Sequence, residues 1–149
     1  MSNTLLTSIG WSDERAVSFG PYADRGLTPA RVSGEHRGEV DVITASGSVR
    51  ALVRGSLLGG VESPGVGDWV GLRHSDDPQM PSMVEGVLPR LTQFVRRAAG
   101  SEHETQLVAA NVDVVFVVTS LNADVNLRRI ERYLVAAQAG GAVAVVVLN

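Results

Sequence analysis

Arginine supplies all the basic side chains of this 149-residue sequence: 13 basic residues and no lysine. A complete phosphate-binding loop of the GxxxxGK[ST] kind is therefore excluded, as is Schiff-base chemistry on a lysine. The most basic window runs from Arg90 to Arg97, with Arg90, Arg96 and Arg97 and no acid. A basic groove lined with stacking aromatics binds single-stranded nucleic acid. The residues that can build one are Arg31, Arg37, Arg50, Arg54 and Arg73, with Trp69 as the aromatic, and then Arg90, Arg96 and Arg97. Across 29–75 the five arginines meet five acids, Glu35, Glu39, Asp41, Glu62 and Asp68. Each taken singly therefore also fits a solvated or ion-paired surface group. The Arg96–Arg97 pair is the best candidate for such a nucleic-acid contact.

Other chemistry is thinly represented. His36, His74 and His103 are scattered through polar loops, and Glu102-His103-Glu104 lacks the second His of a HExxH zinc site. Asp76-Asp77 before Pro78 reads as a loop. No Ser/His/Asp set can be identified from spacing, and no GxGxxG follows a strand. Arg128, Arg129 and Arg132 read as a solvated helix face, with Asp124 or Glu131 as local partners. Cysteine is absent, so neither disulfides nor thiolate zinc sites form within the chain. No catalytic or metal-ligating residue is assigned.

The net charge of −3 argues against a chain that coats nucleic acid through bulk charge, though not against a local basic patch. With 44% hydrophobic and 19% charged residues the composition is that of a globular protein. Residues 1–28 hold Asp13, Glu14 and Asp24 and no apolar run of signal-peptide length. The apolar runs Val114–Val118 and Ala142–Leu148 are far shorter than the ~20 residues that span a bilayer. A soluble cytoplasmic protein without a membrane partner is expected.

These residues need elements to position them. Residues 1–28 read as a loosely structured lead-in, with turn material at Gly20-Pro21 and Gly26 to Pro29. Residues 29–89 read as all-β, with strands near Ala30–Gly34, Glu39–Thr44, Val49–Arg54, Asp68–Arg73 and Met83–Leu88. Val40 and Val42, then Val49, Ala51 and Val53, alternate with their neighbours, so one face of each strand points inward. Ala45-Ser46-Gly47 fits a hairpin turn, and Ser63 to Asp68 a second sharp turn. A five-stranded OB-type barrel is expected, with an SH3-like barrel as the rival. Residues 90–110 read as a linker. Val112–Thr119 and Ala142–Leu148 suit strands buried on both faces. Between them Leu127, Ile130 and Leu134 form a helical stripe, with Asn126 as N-cap and Gly140-Gly141 as the stop. Strand, helix, strand makes the two strands parallel.

Two parallel strands under one helix leave a face and both edges bare, whereas parallel sheets are covered on both faces. An N-terminal piece of a longer α/β protein is therefore expected, the alternative being cover from the barrel or a second copy. Asn149 falls at the carboxyl edge of the second strand, where open parallel sheets bind ligands. By position alone it also fits a simple strand terminator.

Several segments, in order, resemble one family. They are Pro64-Gly-Val-Gly-Asp-Trp-Val70, Val87-Leu-Pro-Arg90, Phe94-Val-Arg-Arg97, the run from Leu107 to Asn122, Asn126 to Leu134, and Val145-Val-Val-Leu-Asn149. The chain resembles the ribosome small-subunit-dependent, circularly permuted GTPases (RsgA/YjeQ/EngC type) from about residue 26 onward. The resemblance implies an OB barrel followed by the first βαβ unit of a truncated, circularly permuted P-loop-type GTPase domain starting near residue 111. It implies that Asn149 is the Asn of the guanine-specificity segment Asn-Lys-x-Asp and helps hold the base. It implies GTP and Mg²⁺ as ligands of the intact protein, and Zn²⁺ in a C-terminal domain absent from this sequence. None of these is expected bound to the 149 residues alone. The implied partners are the small ribosomal subunit and its rRNA, and the implied activity is GTP hydrolysis in late maturation of the small subunit. The chain alone lacks the phosphate apparatus on which phosphoryl transfer depends and is expected to be inactive. Two other readings compete: a stand-alone, non-enzymatic OB module that binds RNA, and an unrelated small α/β domain.

Overall fold

A computed structural model describes residues 4–60, 62–75, 77, 79–97, 105–121 and 125–149. The chain divides into two compact units, residues 1–89 and 90–149. Among the described residues no helix is long and apolar enough to cross a membrane.

The first unit is a closed barrel of five strands, β1 (Thr28–His36), β2 (Glu39–Thr44), β3 (Gly47–Val53), β4 (Trp69–Arg73) and β5 (Ser82–Val87). The order around it is β1-β2-β3-β5-β4, and β1 closes it by pairing with both β2 and β4. The β3–β5 pair is parallel, with Ala51 opposite Ser82 and Val53 opposite Val84. This is the OB-type arrangement. The alternating residues do what their period demands: Val40, Val42, Ala51 and Val53 point inward with Ala30, Val32, Val70, Leu72 and Val84 to make one core. β2 and β3 are joined by the two-residue loop Ala45-Ser46, and Gly47 beyond it has φ of 131°, where a side chain would be strained.

Among the described residues, 4–28 do not form a loose lead-in. Helices α1 (Thr4–Ser8) and α2 (Asp13–Ala23) pack on the barrel. Ser12 caps α2 by accepting from Arg15 N, and Asp13 and Glu14 sit in its first turn, where negative charge favours the helix dipole. Gly20-Pro21 does not break α2, because Phe19 and Tyr22 on either side are held by tertiary contacts. Leu6, Phe19, Leu27, Trp69 and Leu88 form a second core, with Ile9, Trp11 and Tyr22 against it. The Tyr22 ring lies over Gly71 and Gly86, which are partners across β4 and β5, and its hydroxyl donates to Val87 O at 2.9 Å. A Cβ on Gly86 would come within 2.3 Å of that ring.

In the second unit, the segment expected as a linker carries an antiparallel pair, β6 (Gln93–Arg97) with β7 (Thr105–Ala110). Then follow β8 (Val114–Thr119), α3 (Leu127–Ala139) and β9 (Val143–Leu148), with β8 and β9 parallel in continuous register from Val114–Val143 to Thr119–Leu148. Asn126 caps α3 by accepting from Arg129 N at 3.0 Å, and Gly141 at φ of 84° ends it. The apolar stripe is Ile130, Leu134 and Ala137 rather than one starting at Leu127, which is 67% exposed. The strands are not buried on both faces: Phe116 and Val118 on β8 and every β9 residue except Ala144 are exposed. A single helix covers only one side of the pair.

β6 and β7 are fastened to the βαβ unit by backbone. Gln93 N donates to Gly140 O at 3.0 Å, and Asn111 N to Thr92 O at 2.7 Å. Buried Asn111, at φ of 53°, accepts from Leu91 N at 3.0 Å. Thr92 Oγ1 donates to Val112 O at 2.6 Å.

Candidate nucleic-acid interface and nucleotide edge

The structure sorts the arginines by what each guanidinium touches. Arg31, on β1, turns inward: its Nε donates to Gly67 O at 3.2 Å and its NH1 donates to Ile9 O. It also lies over the Trp69 ring, at 5.6 Å from the centroid. Arg31 thus ties α1 and the turn before β4 to the barrel. Trp69 itself is 1% exposed, with Trp11 edge-on at 4.8 Å. Its ring presents no face to a nucleic-acid base, which corrects the expectation that it stacks one.

Arg50, on β3, sits opposite Asp41 on β2 and grips it with two nitrogens at 2.9 and 3.3 Å. His36 Nε2 lies 2.7 Å from the same carboxylate. Arg50 first, and His36 second, lower the Asp41 pKa to about 2, against a smaller opposing effect of desolvation. With its folded pKa depressed, Asp41 contributes stability that is fully present above the ordinary carboxylate range and is lost as pH falls through about 2. An NMR titration of the Asp41 carboxyl carbon is expected to show a midpoint near 2. A midpoint close to 3.8, the unperturbed value, would show that the Arg50–Asp41 contact does not hold in solution.

Arg54 and Arg73 meet at a single carboxylate, Glu85 on β5. Arg73 donates from Nε to Oε1 and from NH2 to Oε2, the latter at 3.2 Å. Arg54 NH1 stands 3.9 Å from Oε2, and Arg25, just past α2, donates to Oε2 at 3.1 Å. The three arginine side chains are about half exposed while Glu85 is 11% exposed. Arg73 holds the Glu85 carboxyl below its usual range, with Arg54 and Arg25 adding to it and burial opposing. Neither Arg25 nor Glu85 is singled out by the sequence. They lie 60 residues apart, and only closure of the barrel brings them together.

Arg37 is exposed in the β1–β2 turn. In the second unit Arg90 is half-buried, and Arg96 donates twice to Gln106 Oε1 across the ladder, at 3.0 and 3.2 Å. Arg97 pairs through its backbone with Thr105. Arg128, Arg129 and Arg132 lie on the exposed side of α3. His74 Nδ1 is 3.4 Å from Ser82 Oγ. Asp76, Pro78, Glu102, His103, Glu104, Asn122 and Asp124 lie outside the described residues.

Asn149 follows β9 and extends the parallel ladder. Its N–H donates to Thr119 O at 2.9 Å and its carbonyl accepts from Leu121 N at 3.0 Å. Both backbone groups are held, and the residue is exposed at the carboxyl edge of the sheet. Among the described residues no three His, Asp, Glu or Cys side chains converge as a metal site would require. With no lysine and no phosphate loop, these residues do not fit Mg²⁺ with a triphosphate, nor, with no cysteine, a thiolate-bound Zn²⁺.

The family model described as RsgA GTPase matches residues 87–149. A protein of Opitutus terrae named small ribosomal subunit biogenesis GTPase RsgA is 43% identical, the match covering 97% of this chain and 42% of that protein. A protein of the same name from Streptomyces coelicolor is 40% identical, covering 99% of this chain and 40% of its own length. Among solved structures, YjeQ from Thermotoga maritima superposes with a TM-score of 0.58 at 24% identity, over 82% of this chain and 41% of that one. YloQ, described as a circularly permuted GTPase, superposes with a TM-score of 0.59 at 16% identity, over 82% and 40%. These two likenesses establish the fold: an OB barrel plus part of a GTPase domain. The chain spans about two fifths of the length of the curated relatives it matches.

Proposed function

This chain belongs to the RsgA GTPase family, and from that premise we propose that it supplies the RNA-contacting barrel and the opening of the nucleotide domain of a GTPase that acts in late maturation of the small ribosomal subunit. The observation that carries the reading is the parallel β8–α3–β9 unit, inside the stretch that matches the family model, with Asn149 at its carboxyl edge. Ligands of open parallel sheets bind at that edge. Asn149 is then the first of the residues that hold guanine, its backbone fixed by β8 and its amide side chain directed to the base. Residues 29–89 are the RNA-binding domain and residues 111–149 the start of the permuted GTPase domain. Arg37, Arg54 and Arg73 on the barrel, with Arg90, Arg96 and Arg97 in the second unit, are the arginines assigned to rRNA; Arg31, which donates to Gly67 and Ile9, and Arg50, which donates to Asp41, are left out of that set. GTP is the substrate of the whole protein, with Mg²⁺ and Zn²⁺ held by residues other than these. A cytoplasmic location goes with the role.

Phosphoryl transfer needs donors around the β- and γ-phosphates, and this sequence has no phosphate loop to supply them. The 149-residue chain is expected to sediment with small ribosomal subunits in preference to large ones and to show no GTP turnover. Equal partition between the subunits, or none on either, would overturn the partner. Turnover by the purified chain would overturn the assignment of its chemistry to other parts of the protein.

A further inference from the structure

OB barrels that bind single strands combine a basic groove with aromatic side chains on which bases stack. In this barrel the second ingredient is already committed. The first unit holds four aromatic residues, Trp11, Phe19, Tyr22 and Trp69. All four belong to the core that docks α1 and α2, with Trp11 edge-on to both Phe19 and Trp69, and Phe19 stacked on Tyr22. None is exposed.

The first ingredient is concentrated at one place. Around Glu85 three guanidinium groups face one carboxylate, a local surplus of two positive charges. Arg73 alone engages both carboxylate oxygens, and Arg54 at 3.9 Å is outside hydrogen-bond range. The Arg50–Asp41 pair is different: there each guanidinium has its own carboxylate. Mutual repulsion of three cations is relieved when a further anion arrives. A phosphodiester offers the planar guanidinium the oxygen pair it binds well.

We propose that the barrel grips RNA by its phosphodiester backbone alone, through Arg25, Arg54 and Arg73 gathered around Glu85, with no base stacked on an aromatic ring. The inference rests on the reading that the barrel contacts RNA, and it adds Arg25, and the indifference to base identity, to that reading. Binding of this kind is strongly salt-dependent and blind to sequence.

The test is a fluorescence titration of the 149-residue chain with an oligouridylate and with an oligoadenylate of equal length, each at several salt concentrations. The two RNAs should bind with similar affinity. An Arg25→Ala, Arg54→Ala double variant should bind both roughly tenfold more weakly, because phosphate contacts weaken binding uniformly across sequences. Its slope of log K against log salt should be shallower by about 1.4, the value for two lost contacts to a single strand. Arg50→Ala should leave affinity and slope unchanged. Undiminished binding by the double variant would overturn the patch while the RNA reading stands. A marked preference for the better-stacking oligoadenylate would overturn backbone-only recognition in the same way. Failure of the unmodified chain to bind either RNA would remove the RNA reading and the inference together.

Discussion

Gly140→Ala is expected to unfold the second unit while leaving the barrel intact. Gly140 follows α3, and its backbone lies against β6: Gln93 N donates to Gly140 O at 3.0 Å. A Cβ placed on Gly140 would lie 1.7 Å from Gln93 O and 2.9 Å from its carbonyl carbon. Those atoms are backbone, so no side-chain rotation relieves the clash. Either the Gln93–Gly140 hydrogen bond breaks or α3 withdraws from β6. Overpacking a well-packed core costs about 1–3 kcal/mol where side chains and backbone can shift, and the cost here should exceed that range. A unit of 60 residues has little reserve against such a loss. The two tryptophans, Trp11 and Trp69, both lie in the barrel unit, so the tryptophan fluorescence melt reports that unit alone. Amide exchange over residues 90–149 reports the other. The expected result is an unchanged fluorescence transition together with loss of exchange protection in β6, α3 and β9. Retained protection in those elements would show that β6 does not pass against Gly140.

Trp69→Ala should be the most damaging substitution in the barrel unit. Trp69 is the largest of the fully buried side chains, and it links the helical cap to β4. Removing it deletes the contact with Trp11 and leaves the Arg15 and Arg31 guanidiniums, at 5.7 and 5.6 Å, without the ring beneath them. Truncating a buried Trp costs about 3–5 kcal/mol, against a total stability of about 5–15 kcal/mol for a domain. Trp69→Phe should cost much less, since it keeps an aromatic ring at the site and removes the indole N–H, a buried donor without a hydrogen-bond partner among the described residues. Urea melts of both variants, followed by circular dichroism, measure the difference. A loss below about 1 kcal/mol for Trp69→Ala would mean that the cap is not part of the folded barrel unit.

Local patterns made much of this fold legible. The alternation of Val40 and Val42, then Val49, Ala51 and Val53, places strands and inward faces, since the period of two leaves no choice of side. Asn126 and Gly141 delimit α3 through caps whose chemistry is local. Where tertiary contacts decide, the sequence is silent or misleading. Gly20-Pro21 signals a break, yet α2 runs through it because Phe19 and Tyr22 are anchored on the barrel. The polar residues between Arg97 and Thr105 disguise the pairing of β6 with β7, whose register includes a bulge between Phe94 and Val95. Trp69 follows a Gly-Asp turn and looks available, but the cap that buries it comes from residues more than 45 positions earlier. Likewise, a count of charges balances arginines against acids across the barrel. It cannot show that three arginines share Glu85 while Asp41 meets one arginine, Arg50, together with His36.

The most direct test of the functional assignment is GTP turnover by the full-length protein that contains these residues, measured with and without purified small ribosomal subunits. Turnover that rises when small subunits are added, and not when large subunits are added, is the expected result. A full-length protein that hydrolyses no GTP, or hydrolyses it at the same rate whichever subunit is present, would contradict the assignment.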